Sequence, residues 1–209
     1  MKRISIAALG LLAWVPLGIR LASAWDYEGH RVVNQLALTS LPSEFPGFVR
    51  DSAAAERIGF LGGEPDRWRN VQDLPLRHSN GPDHYIDLEE LAVYGLKAEL
   101  LPVMRYDYVA QLALARHAHP EKFPAMDPGR NEDHTRELVG LLPWAMAESY
   151  SKLKSCISCL KAYEEGGGTP EEIANAQGDV IYVMGTMGHY FGDAGQPLHT
   201  TIHHHGWVG

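Results

Sequence analysis

The sequence predicts an all-α fold in a single multi-helical domain. Apolar residues recur at the three-to-four-residue spacing of amphipathic helices over 30–41, 88–101, 103–118, 135–163 and 171–191. No stretch alternates apolar and polar residues with the period of a half-buried strand. The 209 residues are 45% hydrophobic and 21% charged, which supplies one real core and excludes a disordered or collagen-like chain.

The first element is a targeting segment. Lys2 and Arg3 precede an apolar run over 4–19, and Ala22-Ser23-Ala24 then supplies the small-x-small pattern of a signal-peptidase site. Residues 1–24 are expected to be a signal peptide, leaving Trp25 as the first residue of a domain over 25–209 that is secreted or periplasmic. A retained anchor is the alternative, but the run is shorter than the roughly 20 apolar residues that span a bilayer, and no stable membrane insertion is expected.

Helix breakers separate the later elements: 42–46, Gly62-Gly63 with Pro65, 74–82, 120–129, and Gly166-Gly167-Gly168. These are expected to be irregular loops. Thr169 and Thr135 are candidate N-caps, and only Thr169 has the capping-box acid, Glu172, three residues on, with Pro170 at the first helical position. The glycine triplet lacks the Lys-Ser/Thr ending of a phosphate-cradling loop and follows no strand, so it reads as a helix connection. Cys156 and Cys159, the only cysteines, lie inside a helical stretch with no second pair and no following His, and are expected to be ordinary helix residues.

Charge narrows the function. Removing the presequence takes away Lys2, Arg3 and Arg20 and no acid, so 15 basic residues face 26 acidic ones and the net charge goes from −8 to −11. A protein that grips long duplexes by neutralising many phosphates is expected to be basic. Any anionic substrate must therefore be held locally, by metal ions or a few arginines.

The strongest chemical pattern runs from Gly188 to His199. His189 and Asp193 are four apart and share a helix face, and Pro197 ends the helix so that His199 turns back toward the same region. Imidazole plus carboxylate is a donor set that zinc accepts. A surface His–Asp pair followed by an unrelated histidine is the bland alternative. Two further segments weigh against it, because Asp66 (in Pro65-Asp66-Arg67-Trp68-Arg69) and His84 (in Asp83-His84-Tyr85-Ile86-Asp87) put ligand-type residues in or beside breaker-rich loops.

With these residues the chain resembles the trinuclear-zinc nucleases specific for single strands, which share a fold with zinc-dependent phospholipase C. The likeness runs through nearly the whole of 25–209 and includes Trp25-Asp26-Tyr27-Glu28-Gly29-His30. The resemblance implies an all-α domain of that type and three zinc ions. One would be bound by Asp66, His84, His189 and Asp193, a close partner by Trp25, His30 and the bridging Asp193, and a third by His199. Signal cleavage would complete the site by freeing the Trp25 α-amine, a far better ligand than an amide nitrogen. It also implies a zinc-bridging water that attacks phosphorus, with Asp66 and Asp193 as the catalytic carboxylates. Arg69 would stabilise charge on the phosphate, Tyr85 would stack a base, and Asp87 would bind its edge. The expected substrate is single-stranded DNA or RNA, and the protein is expected to be a monomer.

The pattern departs from the family after His199. The family completes its third zinc site with a His-x-x-x-Asp or His-x-x-x-Glu helix roughly twenty residues later, so the chain as given is expected to be a C-terminally shortened form. His203, His204 and His205 are not expected to substitute as ligands, and His78, His117, His119 and His134 match no motif. Two other functions remain open: phospholipase C chemistry on a phospholipid headgroup, which Arg69 argues against, and a non-catalytic, zinc-stabilised helical module.

Overall fold

The computed structural model describes residues 26–206. The presequence expected over 1–24 and Trp25 lie outside them. Among the described residues the fold is all-α: α1 (Tyr27–Thr39), α2 (Ser52–Leu61), α3 (Glu64–Arg69), α4 (Leu74–Asn80), α5 (Arg105–Ala118), α6 (Leu142–Gly166) and α7 (Pro170–Ala194), joined by short 3-10 turns and loops. None of these helices is long and apolar enough to cross a membrane.

α6 and α7 are the frame. Gly167 ends α6 at φ 79°, a left-handed conformation that glycine adopts without penalty, and Gly168 N–H returns to the Tyr163 carbonyl at 2.8 Å. α7 starts on the expected capping box. Thr169 accepts from the Glu172 amide, Glu172 accepts from the Thr169 amide at 2.8 Å, and Pro170 opens the helix. The glycine triplet is thus the connection the sequence suggests. Cys156 and Cys159 are both free thiols on α6.

The residues of α7 that recur every fourth position, Ala176, Val180 and Met184, are buried with Leu38, Val49, Ile58, Leu153 and Leu160 in one core cluster. Each fully buried Leu or Ile of this set contributes about 1.5–3 kcal/mol of transfer free energy. A second cluster gathers Ile86, Leu91, Tyr94, Tyr108, Leu112, Val139, Leu141 and Trp144. In it Tyr108 and Trp144 stack at 4.1 Å and the Trp144 indole donates to the Pro102 carbonyl. Leu142, Ala145 and Tyr190 form a third, smaller cluster.

The structure corrects several expected elements. Residues 88–101 form no α-helix, only 3-10 turns at Glu90–Ala92 and Ala98–Leu100. Gly95 at φ 72° turns the chain so that Leu96 N–H reaches the Leu91 carbonyl, and the helical spacing there reflects Leu91 and Tyr94 entering the second core. Residues 135–141 are likewise not helical. Gly140 stands at φ 97°, and the amides of Leu141 and Leu142 donate to the carbonyls of Pro82 and Tyr85, so these backbone groups are satisfied across the fold. Thr135 is accordingly no cap. Its hydroxyl donates to Asp133.

Conversely, 74–82 is not simply a loop. Asp73 caps α4 by accepting from Leu76 N–H at 2.9 Å, with Pro75 in the first turn, and the 3-10 turn Gly81–His84 follows. Ser52–Leu61, assigned no element from the sequence, is α2, and Asp66 sits on the short helix α3 rather than in a loop. Finally, α7 stops at Ala194 with Gly195 as its cap. Pro197 instead opens the 3-10 turn Pro197–His199.

Candidate metal centre

The inner faces of α1, α3 and α7, the turn Gly81–His84 and the turn Pro197–His199 meet at one buried point. From them come His30, Asp66, His84, His189, Asp193 and His199, each no more than 6% exposed. Residues so polar are rarely buried together without a common partner.

Asp193 is the hub. Its Oδ2 lies 3.0 Å from His84 Nδ1 and 3.1 Å from His189 Nε2, while its Oδ1 faces His30 Nε2 at 3.4 Å and His199 Nε2 at 3.6 Å. One carboxylate thus serves two pairs of imidazoles from opposite oxygens. Asp66 Oδ1 stands 3.9 Å from His84 Nδ1 and 4.0 Å from His189 Nε2, and takes an ion pair from Arg69 Nη2 at 2.8 Å, one helical turn on.

The helices reach this point because their backbones approach closely. Asn34, one turn after His30 on α1, donates from its amide to the Ile58 carbonyl at 2.8 Å and the Gly185 carbonyl at 2.9 Å. It thereby ties α1 to α2 and α7. A Cβ on Gly188 would lie 1.8 Å from Asn34 Oδ1, and one on Gly185 would lie 2.4 Å from Leu61 Cβ. Glycine at both positions is what lets α7 carry His189 and Asp193 inward. Asn34 carries no chemistry signal in the sequence beyond its place on the polar line His30–Asn34.

The ring nitrogens show what the cluster lacks. His189 Nδ1 lies 2.6 Å from the Gly62 carbonyl, which only accepts, so that nitrogen carries the hydrogen and Nε2 of the neutral ring presents a lone pair. The lone pair points at His84 Nδ1, 2.9 Å away, and at Asp193 Oδ2. Burial pushes His84 and His30 down to about 4, His30 further helped by its stacked neighbour His189, and burial also lowers His199. Burial alone would raise the Asp193 carboxyl, but the close contacts with His189 and His84 outweigh this and hold it well below the usual carboxylate range. At neutral pH the centre therefore converges neutral imidazoles on an ionised carboxylate. The single hydrogen on His84 Nδ1 has to serve both His189 Nε2 at 2.9 Å and Asp193 Oδ2 at 3.0 Å, which leaves lone pairs at this point for a divalent cation.

Spacing agrees with donor type. Ligands about 2.0–2.1 Å from one tetrahedral zinc stand about 3.3–3.4 Å apart, close to the separations around Asp193. Two overlapping triads, His30–Asp66–His189 and His84–His189–Asp193, each bring ligand atoms within 4.8 Å of one another. The residues fit zinc.

Of the residues singled out from the sequence, His30, Asp66, His84, His189, Asp193 and His199 share this centre, and Arg69 borders it through Asp66. Trp25 lies outside the described residues. Tyr85 and Asp87 continue outward from His84, where Ile86 N–H donates to the His199 carbonyl and Asp87 N–H to the Val139 carbonyl. Beside them stands a residue the sequence reading discounted. His204 Nε2 lies 3.4 Å from Asp87 Oδ1, and its ring meets Tyr85 edge-on at 5.7 Å. The run His203-His204-His205 was the available signal, but its meaning depends on the turn at Pro197–His199 folding it back. His78 is bound to the Asp133 carbonyl and belongs to another part of the surface.

Comparison with known proteins finds no matching family, no matching curated protein and no matching solved structure.

Proposed function

We propose that the protein is a zinc-dependent phosphodiester hydrolase, most directly an endonuclease on single-stranded DNA or RNA, of the zinc nuclease and phospholipase C type and exported after signal cleavage. The observation that carries this reading is the convergence of four buried imidazoles on the two oxygens of Asp193, with Asp66 and Arg69 at the edge.

When bound, zinc supplies Lewis acidity toward the phosphodiester and lowers the pKa of a water. The chain's own groups do the rest. Asp193 holds two sets of imidazoles in one register, and Gly62 fixes the tautomer of His189. Arg69, held by Asp66, keeps further guanidinium N–H donors for a non-bridging phosphate oxygen. Tyr85 offers a ring face to an unpaired base and Asp87 an acceptor to its edge, contacts that a duplex cannot reach. Held in this way, a strand needs few cationic side chains, which suits an exported chain of net charge −11.

A phospholipid headgroup is the second substrate, favoured by one observation. Leu100, Val103, Met104 and Tyr106 are 75%, 85%, 64% and 84% exposed in the segment entering α5, an apolar rim suited to a lipid surface. The test is zinc per molecule of the secreted protein, with cleavage of single-stranded DNA and of phosphatidylcholine, with and without chelator. Two or more zinc ions and chelator-sensitive DNA cleavage support the nuclease, and lipid cleavage alone moves the substrate to phospholipid. Bound zinc with neither activity, unchanged by an added N-terminal residue, leaves a non-catalytic zinc-stabilised module.

A further inference from the structure

A cavity apart from the candidate metal centre opens between α4, α5 and the segment 134–141. Its volume is about 710 Å³, within the range of small-molecule sites. Val109, Leu112, Leu138 and Leu141, which belong to the second core or pack on it, supply apolar walls. Two opposite charges line the same space without pairing. Arg116 gives Nη1–H to the Tyr94 hydroxyl at 3.2 Å and lies over the Phe123 ring at 4.8 Å, but meets no carboxylate among the described residues. Glu137 accepts from the Asn131 amide at 2.6 Å through Oε1, while its Oε2 is buried with no hydrogen-bond partner. The Tyr94 hydroxyl in turn donates to the Glu137 carbonyl at 3.1 Å, which makes the guanidinium and the glutamate neighbours on one wall. The other arginine of the lining is already spent, since Arg105 gives Nη1 to Asp83 and both Nε and Nη2 to Glu148.

A carboxylic acid with an apolar tail would answer Arg116 and leave Glu137 Oε2 unpaired, and an apolar amine would do the reverse. Each orphaned charge costs free energy when the ligand covers it. The complement is a zwitterion with an apolar body. In an α-amino acid the ammonium and the carboxylate sit on one carbon, which matches two charges held on one wall, whereas the free ends of a peptide are set further apart. We propose that this cavity binds a free α-amino acid with a large apolar side chain, its carboxylate on Arg116, its ammonium on Glu137 and its side chain against Leu112, Leu138 and Leu141. Hydrogen bonds to charged groups orient the ligand, and apolar burial supplies most of the affinity. None of these groups belongs to the candidate metal centre, so the site does not depend on what that centre hydrolyses.

The experiment is calorimetry on the full chain with L-phenylalanine and three probes that each lack one part of it: 3-phenylpropionate has no ammonium, 2-phenylethylamine no carboxylate and glycine no apolar body. L-phenylalanine should bind about tenfold or more tightly than each of the others, the scale of one hydrogen bond to a charged group or one buried side chain. Arg116→Gln should weaken L-phenylalanine about tenfold and leave 2-phenylethylamine bound at least as well as before. Glu137→Gln should weaken L-phenylalanine about tenfold and leave 3-phenylpropionate bound at least as well as before. Ala113→Trp changes neither charge and fills the cavity from an exposed lining position, and it should abolish L-phenylalanine binding. Urea denaturation on each variant establishes that it is folded. Absence of L-phenylalanine binding to the wild type at millimolar concentration overturns the proposal. So does a probe that binds as tightly as L-phenylalanine, or undiminished L-phenylalanine affinity in any of the three variants.

Discussion

Replacing Gly188 with alanine tests the idea that close helix approach builds the candidate metal centre. The added Cβ would lie 1.8 Å from Asn34 Oδ1 and 2.8 Å from Asn34 Cγ, far inside contact distance. Either α1 and α7 part, or Asn34 rotates away and surrenders its hydrogen bonds to the Ile58 and Gly185 carbonyls. Overpacking costs about 1–3 kcal/mol, and lost buried hydrogen bonds cost about 1–3 kcal/mol. Against these, alanine's better helix propensity returns about 1 kcal/mol. The net loss is about 1–5 kcal/mol, whose middle is roughly 10 °C in Tm for a domain of this size. The damage reaches the site, because His30 precedes Asn34 by one turn and must hold its 3.4 Å approach to Asp193. Zinc affinity should fall about tenfold or more, as when a supporting residue behind a metal ligand is removed. Gly178→Ala, on the same helix with open space where its Cβ would go, is the control and should gain up to about 1 kcal/mol. Urea denaturation and competitive zinc titration read both quantities. A Gly188→Ala protein as stable as Gly178→Ala, with wild-type zinc affinity, would refute the reasoning.

Three further outcomes are expected. Asp193→Asn keeps the shape but removes the charge that faces four histidines, and should abolish hydrolysis and lower bound zinc by at least one ion, read by elemental analysis and DNA cleavage. Thr169→Ala removes a capping-box partner at the exposed start of α7 and should cost about 1 kcal/mol without changing zinc content, read by urea denaturation. Asp87 gives a pH dependence: burial pushes its carboxyl from 3.8 up to about 6, with His204 pulling partly the other way. Below pH 3.8 both folded and unfolded chains are protonated and the full stability is present. As the pH rises toward 6 the unfolded chain releases the proton first, so stability falls and stays lower above 6. Asp87→Asn should therefore stand closest to the wild type below pH 4 and exceed it at pH 7, read as the difference in urea stability across that range.

What the sequence discloses depends on how local the cause is. The α7 cap, the glycine connection and the His189–Asp193 pair are legible because each is set by residues within one or two turns. The α-helix expected over 88–101 fails because Leu91 and Tyr94 answer to a distant core and Gly95 breaks the turn. The stretch 135–141 fails because its amides find partners at Pro82 and Tyr85, more than fifty residues away in sequence. The ligand-type residues are recognisable one motif at a time. That His30, Asp66 and His199 reach the same carboxylate or its neighbours is a property of helix crossings at Gly185 and Gly188, which periodicity does not encode. His204 is hidden for the same reason, since its meaning comes from the chain folding back across Asp87.

The same long-range contacts make the candidate metal centre and the fold one problem. His30, His84, His189 and Asp193 are each no more than 1% exposed, and an ionised carboxylate in that setting is costly unless it is paired. Neutral imidazoles supply only part of the pairing, because the His189 hydrogen is committed to Gly62 and its free nitrogen competes with Asp193 for the His84 Nδ1 hydrogen. A divalent cation would satisfy all of these lone pairs at once, and its binding energy would then count as folding energy. Chelation should accordingly lower the Tm of the wild type and leave Asp193→Asn almost unmoved, because in that variant the charge that calls for the cation has already gone. An equal Tm loss in both proteins would place the cation elsewhere, and no loss in either would mean that hydrogen bonding alone satisfies the cluster.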